Sequence, residues 1–235
     1  PADLGYYNLL DQDVREKQAK LAKDAGIDAF CYYHYWFGNG RQLLERPFNE
    51  VLASGKPDFP FCICWANHDW TDAWKASNRQ PKVLIAHNFD DEKDWVDHFN
   101  YLLPFFKDPR YMTENNKPLM VIYIPNIIRK LKKMLDVWSQ MARDNGFDGL
   151  TFIYQSAASS FDNSWDHSLF DYGVEMNPGY VGLANRQKNS SFFPKLMKYS
   201  HEIKRFLHIR RSLLPQKKIT EVSKADYDYT WQRIL

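Results

Sequence analysis

Cysteines, long apolar runs and an excess of one charge sign are all scarce in this sequence. Its 235 residues include only 3 cysteines, and Cys62 and Cys64 lack the C-x-x-C spacing of a redox or zinc site. We expect buried thiols in a reducing compartment, which favours a cytoplasmic protein. The longest nearly apolar runs, such as residues 59–66, are far shorter than the roughly 20 residues that span a bilayer. No integral membrane segment is therefore expected, and no charged-then-apolar leader opens the chain.

The charges nearly cancel, since 31 Lys and Arg face 29 Asp and Glu for a net charge of +2. This balance gives the protein no overall positive electrostatic potential that would attract nucleic acid, and we expect no nucleic-acid partner. Residues 195–224 are the exception, with Lys and Arg far outnumbering the two glutamates. This segment lies in a predicted basic helical excursion over 190–230, and two interpretations stay open. It is either a solvated helix with a basic face or a peripheral contact with an anionic glycan or membrane surface.

Helical and strand patterns alternate along the chain, which predicts an α/β fold with a parallel sheet. A helical pattern over 11–25 ends at Gly26 and is followed by a strand at 27–36, whose sequence predicts burial on both faces. The same joint, a helix that ends at a glycine before a strand, recurs at Gly146 before a strand at 150–154. Further strands are predicted at 61–66, 83–87, 119–124 and 172–176. Further helices are predicted at 127–142 and at 92–103, where Pro104 is expected to bend or end the helix.

The glycine-rich motifs of nucleotide-binding sheets are absent, so a (β/α)₈ barrel is the favoured fold. We predict one barrel domain over residues 1–235. Six strands are predicted where a closed barrel needs eight, and we expect the barrel to be incomplete at both ends.

Aromatic residues are abundant, at 16% of the chain with 8 Trp and 14 Tyr. Many stand with Asn, Gln and His at the predicted carboxyl ends of strands, where parallel barrels carry their sites. Sugar rings present apolar faces that stack on Trp or Tyr and hydroxyls that need polar partners. The pattern predicts an oligosaccharide or polysaccharide ligand and no cofactor. The predicted substrate-binding residues are Tyr33, His34, Trp36, Trp65, Asn67, His68, Trp70, His87, Tyr154, Gln155 and Asn177.

Two carboxylates are candidates for acid–base chemistry on a glycosidic bond, Glu175 at a strand end and Asp69 in the loop after a strand. Each also has a purely structural interpretation. Glu175 could pair with a neighbour at the barrel rim, and Asp69 could cap the next turn.

Several motifs in order resemble the WbsX-like proteins, a family described as glycosyltransferases of lipopolysaccharide O-antigen loci. That family is similar in fold to endo-α-mannosidase glycoside hydrolases. The resemblance is strongest over residues 4–123 and returns at 171–178. Its motifs are LGYYNL at 4–9, YYHYWF at 32–37, LLERPFN at 43–49, CWAN at 64–67 with Trp70 and Trp74, and DPRY at 108–111 with KPL at 117–119.

The resemblance implies an enzyme of lipopolysaccharide biosynthesis that makes or cleaves glycosidic bonds in a cell-surface polysaccharide. It leaves open whether this is a glycosyltransferase or a retaining glycosidase of the endo-α-mannosidase type. The chain departs from the family pattern at His68, where a Glu is usual, and at His87, where a Gln is usual. The family also implies a Thr-Glu-Trp strand before Pro1 and a late Trp-Asn-Glu-Trp strand end, and neither is present. On this resemblance, we expect the main catalytic carboxylate to lie outside this chain.

Two other functions fit the same residues. A non-catalytic glycan-binding barrel would keep the aromatic residues and lack chemistry. A metal-dependent hydrolase would place His34, His68 and His87 around one ion, because they follow three successive predicted strands.

Overall fold

The structure is a computed structural model that describes residues 4–73, 81–89, 91–156 and 165–175, with the backbone alone at Ser156 and Glu175. The chain divides into two compact units, Pro1–Ser156 with Ser160–Val174, and Ala157–Ser159 with Glu175–Leu235. All that follows concerns the first unit and the strand that ends at Glu175. The predicted 190–230 excursion lies outside the described residues, and the single domain over 1–235 stays a prediction.

Helices and short strands alternate through the described residues. The helices are α1 Gln12–Asp24, α2 Arg46–Ser54, α3 Glu92–Phe106 and α4 Leu131–Asp144, with 3₁₀ turns at Pro125–Ile127 and His167–Leu169. The strands are β1 Phe30–Trp36, β2 Gln42–Leu43, β3 Phe61–Trp65, β4 Trp70–Thr71, β5 Val83–Ile85, β6 Thr113–Glu114, β7 Lys117–Ile122, β8 Thr151–Ser156 and β9 Tyr172–Glu175.

The main sheet has the order β2-β1-β3-β7-β8-β9, with β6 paired to β7. Strands β1, β3, β7 and β8 run parallel to one another, whereas β2 and β6 are short antiparallel additions at β1 and β7. The predicted α/β class with a parallel sheet is confirmed. Each parallel strand from β1 to β8 lies beside the one that precedes it, and α2, α3 and α4 form the successive connections.

Strand register divides the side chains of this sheet between two faces, because successive residues of a strand point to opposite sides. One row of paired residues runs through His34, Trp65, Ile122 and Tyr154. The helices pack on this side, which we call the helix face. The ring contacts that show it are Phe48 of α2 with Phe61 at 6.0 Å, His98 of α3 with His34 at 5.1 Å, and Trp138 of α4 with Trp65 at 5.9 Å.

The adjacent row runs through Tyr33, Cys64, Val121 and Ile153 and belongs to the opposite side, which we call the open face. Tyr33 is 45% exposed, and Cys31 on the same strand is exposed as well. The prediction that the strand over 27–36 is buried on both faces is therefore wrong. The three connecting helices all cover the helix face, which leaves one side of β1 accessible.

Two local predictions also differ from the structure. The strand predicted at 83–87 forms as Val83–Ile85, but it pairs antiparallel with β4 in a separate two-stranded sheet. Helix α3 continues to Phe106, beyond the predicted 92–103, so Pro104 does not end the helix, which was one of the two effects predicted for it. Proline removes one helical hydrogen bond, yet Phe105 and Phe106 are only 1% and 2% exposed, so their burial stabilises the last turn.

Helix α2 was not predicted, although the sequence marks both of its ends. Pro47 stands in the first turn, where its missing N–H costs nothing, and Gly55 ends the helix with a left-handed φ of 65°. Phe48 and Val51 are buried on one side of the helix. The helix thereby covers β1 and β3 and fixes which face of the sheet is closed.

Candidate functional site

Accessible aromatic and polar side chains gather at the carboxyl ends of the parallel strands, on the open face. Tyr33 of β1 contacts Tyr123, directly after β7, with ring centroids 6.2 Å apart. His68, in the loop after β3, contacts Tyr123 at 5.3 Å. Trp70 contacts Tyr35 of β1 edge-on at 5.4 Å. With Gln155 of β8, these residues form a cluster that we call the aromatic rim: Tyr33, Tyr35, His68, Trp70, Tyr123 and Gln155.

A hydrogen-bonded bridge crosses the rim from the first parallel strand to the fourth. The Gln155 Nε2 amide donates to the Tyr33 hydroxyl at 3.1 Å, and the Cys64 thiol donates to Gln155 Oε1 at 3.4 Å. Tyr33 and Gln155 are 122 positions apart in the sequence. The bridge therefore depends on the register of the whole sheet, and it holds an amide and a phenol ready to contact a ligand.

Three titratable groups of the rim, Tyr33, Tyr35 and His68, stay uncharged near neutral pH. Burial raises the pKa of Tyr33 and of Tyr35, so both phenols keep their protons. Burial lowers the pKa of His68, with an opposing effect from Asp69, so the imidazole stays neutral. Neutral phenol, imidazole and amide groups both donate and accept hydrogen bonds, whereas the indole of Trp70 donates only. The rings also offer faces for stacking, so the rim suits hydroxyl groups and sugar faces better than ionic ligands.

Asp69 and His87 lie beside the rim and tie two loops together. Asp69 Oδ1 accepts a hydrogen bond of 2.7 Å from the backbone N–H of His87, and it lies 3.7 Å from His87 Nδ1. The His87 side chain is fully covered, and neither ring nitrogen has a hydrogen-bond partner among the described residues. Burial lowers the pKa of His87 to about 4. His87 is therefore a neutral ring packed against Phe37, and the carboxylate of Asp69 is 44% exposed.

Four of the predicted ligand contacts lie inside the protein. His34, Trp36, Trp65 and Asn67 are between 0% and 4% exposed. Asn67 accepts from the backbone N–H of Ile124 and donates to its carbonyl, at 2.8 and 2.7 Å, so its amide joins two strand ends. Because these side chains present no surface to a ligand in this structure, we leave them out of the aromatic rim.

The two indoles among those four also have internal partners. Trp36 Nε1 donates to the buried carboxylate of Asp94 at 3.0 Å, and Trp65 Nε1 donates to the Trp36 carbonyl at 3.1 Å. His34 shares a hydrogen bond of 2.9 Å with His98. These groups support the sheet from the helix face.

The remaining predicted residues fall in three places. Tyr154 points to the helix-face side, where it contacts Trp165 at 5.2 Å. Glu175 ends β9, and only its backbone is described. Asn177 lies outside the described residues, as does Trp74. Tyr35 and Tyr123 join the rim without having been among the predicted ligand contacts. The sequence held a signal for each of them. Tyr35 is two residues from Tyr33 and therefore lies on the same face of β1, and Tyr123 directly follows a buried strand.

The three-histidine metal site is wrong, because the sheet separates its members. His34 is on the helix face with His98, whereas His68 contacts Tyr123 of the rim. Across the described ranges, no group of three His, Cys, Asp or Glu side chains is arranged to hold a metal ion. In the same part of the chain, no helix combines the length and apolar character needed to cross a bilayer.

Comparison with known proteins identifies relatives by sequence and by structure. The chain is 33% identical over 179 residues to an uncharacterized protein named WxcX from two strains of Xanthomonas campestris pv. campestris. That match covers 76% of this chain and 25% of the relative, so the chain spans about a quarter of its length.

The structure is also similar to the GH99 endo-α-mannosidase from Bacteroides thetaiotaomicron, with a TM-score of 0.42 and 13% sequence identity over 64% of this chain and 39% of that one. The sequence profile of the family described as glycosyltransferase WbsX matches residues 1–235. The chain therefore belongs to the WbsX glycosyltransferase family.

Proposed function

We propose that this chain supplies the saccharide-binding surface of an enzyme that makes or cleaves glycosidic bonds in a cell-surface polysaccharide. The observation that carries the proposal is the aromatic rim, where accessible neutral rings and one amide converge at the carboxyl ends of parallel strands. Membership of a glycosyltransferase family supports the same substrate class.

The sheet is proposed to be part of a (β/α)₈ barrel whose interior is the open face. Two features of the described residues support this. The parallel strands follow one another from β1 to β8 without a reversal of order, and the three connecting helices pack on one face only. A doubly wound sheet reverses its order and carries helices on both faces. Winding in one direction curves the sheet around its open side, which would place the aromatic rim at the barrel mouth.

Asp69 and Glu175 are the proposed acid–base groups of the described strand ends. Asp69 keeps one carboxylate oxygen free of the bond to His87 N–H, and 44% of its side chain is exposed beside the rim. The family description favours transfer of a sugar, whereas a pair of carboxyl groups about 5 to 5.5 Å apart would serve a retaining glycosidase. The two directions share the same binding surface.

A non-catalytic glycan-binding protein is the second candidate, and the bond made by Asp69 favours it. Asp69 Oδ1 accepts a hydrogen bond of 2.7 Å from the backbone N–H of His87. This bond gives the carboxylate a structural role that does not depend on any catalysed reaction. Binding without turnover is the outcome that this candidate predicts.

The test uses the intact natural polypeptide with mannose-type and O-antigen oligosaccharides. We expect oligosaccharide binding to be about tenfold weaker in Trp70→Ala than in wild type, about 1.4 kcal/mol, because a partly exposed stacking surface is lost. Tyr6→Ala is the matched control, since Tyr6 is 98% exposed and outside the rim. Equal affinity of Trp70→Ala and wild type would contradict the binding surface.

Turnover separates the two candidates. Release or transfer of sugar that disappears in Glu175→Gln or Asp69→Asn, with binding retained, supports the enzyme. Binding in wild type with no product from either reaction supports the binding protein.

A further inference from the structure

Three thiols meet on the open face of the sheet, below the aromatic rim. Cys31 of β1 is paired in register with Cys62 of β3, and Cys64 follows two residues later on the same side. Cys31 is exposed, whereas Cys62 and Cys64 are 7% and 1% exposed. The cluster thus combines one accessible thiol with two covered ones.

Register decides which covered thiol Cys31 can reach. Paired residues on neighbouring strands lie about 4.8 Å apart, inside the roughly 4.4–6.8 Å range of Cα separations that disulfides span. Cys64 is two residues further along β3, which adds about 6.6 Å along the strand and takes it beyond the limit of about 7 Å. Cys62 is the partner within reach.

The surroundings of Cys31 favour reaction at that sulfur. A cavity of about 570 Å³ beside β1 is lined by Cys31 together with Phe30, Tyr33 and Leu44, so a small reagent has access. Hydrogen bonding with Cys62 lowers the pKa of the Cys31 thiol, whereas hydrogen bonding with Cys31 and burial raise the pKa of Cys62. A thiolate that is accessible and hydrogen-bonded is the reactive form of cysteine.

We propose that Cys31 and Cys62 form an oxidisable dithiol, with Cys31 as the site attacked by a hydroperoxide and Cys62 as the resolving thiol. The Cys31 thiolate attacks one oxygen of hydrogen peroxide, the O–O bond breaks, and hydroxide leaves with sulfenic acid on Cys31. The Cys62 sulfur then attacks the Cys31 sulfur, the S–O bond breaks, and the departing hydroxide takes the thiol proton as water. Two thiols and one peroxide give one disulfide and two waters.

The experiment treats the intact natural polypeptide with hydrogen peroxide, blocks remaining thiols with iodoacetamide and maps the peptides by mass spectrometry. Wild type is expected to give a peptide that contains Cys31 cross-linked to the β3 peptide, and dithiothreitol should reverse it. Cys62 and Cys64 stand on one peptide, so Cys62→Ser and Cys64→Ser assign the partner. Cys64→Ser should keep the cross-link, and Cys62→Ser should lose it while Cys31 proceeds to sulfinic acid.

Two results would overturn the proposal. One is a wild type whose Cys31 stays reduced or reaches sulfinic acid without a cross-link. The other is a cross-link that survives in Cys62→Ser, which would make Cys64 the partner.

A second readout does not depend on the variants folding. Alkylation of wild type at pH 6 should modify Cys31 at least about tenfold faster than Cys62. Equal rates would remove the basis for attack at Cys31.

Discussion

The two faces of the parallel sheet are both rich in aromatic residues, yet these residues have different roles on each face. On the helix face, Trp36 and Trp65 are 4% and 3% exposed, and each indole N–H has a partner inside the protein. On the open face, Tyr33 is 45% exposed, and its hydroxyl meets Gln155 at the surface. Aromatic content therefore does not distinguish a core from a binding surface. The distinction lies in which side of each strand the helices cover.

The comparison predicts its largest effect in the core. Trp65→Ala should lower the free energy of unfolding by about 3–5 kcal/mol, because it opens a cavity among packed rings. Tyr33→Ala, the matched change on the open face of the adjacent strand, should cost less than about 1 kcal/mol. Denaturant unfolding of both variants measures the difference. Equal losses would mean that the open face is packed as tightly as the helix face.

A buried carboxylate gives the second prediction. Asp94 is 5% exposed and accepts from Trp36 Nε1 at 3.0 Å and from the backbone N–H of Asn39 at 2.6 Å. Asp94→Ala should destabilise by about 3 kcal/mol, since it leaves the indole donor unsatisfied in the core. Asp94→Asn keeps one acceptor oxygen and should cost less. An unchanged free energy of unfolding in Asp94→Ala would show that the indole N–H finds another acceptor.

The histidine pair of the helix face predicts a dependence of stability on pH. Burial lowers the pKa of His34 to about 3, and burial together with His34 holds the pKa of His98 well below its usual value. Below about pH 6.5 these two histidines bind protons in the unfolded chain but stay neutral in the folded protein. The free energy of unfolding therefore falls as the pH drops. Each histidine contributes up to about 1.4 kcal/mol per pH unit.

The control for this prediction replaces both rings. The double variant His34→Leu/His98→Leu should lose less stability than wild type between pH 6.5 and pH 4, measured by denaturant unfolding at each pH. Identical slopes for the two proteins would show that the pair is protonated in the folded state.

The smallest predicted effect concerns one hydroxyl of the rim. Tyr33→Phe keeps the ring and removes the acceptor of the Gln155 amide. Oligosaccharide binding should weaken about threefold, since a neutral hydrogen bond contributes about 0.5–1.5 kcal/mol. Isothermal titration of Tyr33→Phe beside Tyr33→Ala separates the hydroxyl from the ring. A larger loss in the Phe variant than in the Ala variant would contradict stacking on the ring.

Local patterns predicted much of the fold from sequence. The repeated joint is confirmed, with Gly26 and Gly146 at left-handed φ values of 79° and 91° before their strands. Such joints can be recognised because only the local backbone decides them. The helix that runs through Pro104 could not be predicted in this way, because burial of Phe105 and Phe106 decides its end.

The site was harder to predict than the fold. Polar aromatic residues were expected at strand ends, and Tyr33, His68, Trp70 and Gln155 do converge there. His34 did not join them, because it is one residue out of phase with Tyr33 and points to the helices. Because side chains alternate along a strand, the sequence shows that consecutive residues lie on opposite faces of the sheet. It does not show which of the two faces is exposed to solvent.

Footprinting with hydroxyl radicals tests the saccharide surface most directly. In the intact natural polypeptide with saturating O-antigen oligosaccharide, oxidation of Tyr33 and Trp70 should drop severalfold, while that of Tyr6 should not change. Unaltered oxidation at both Tyr33 and Trp70 with ligand bound would contradict the assignment of the aromatic rim as the saccharide-binding surface.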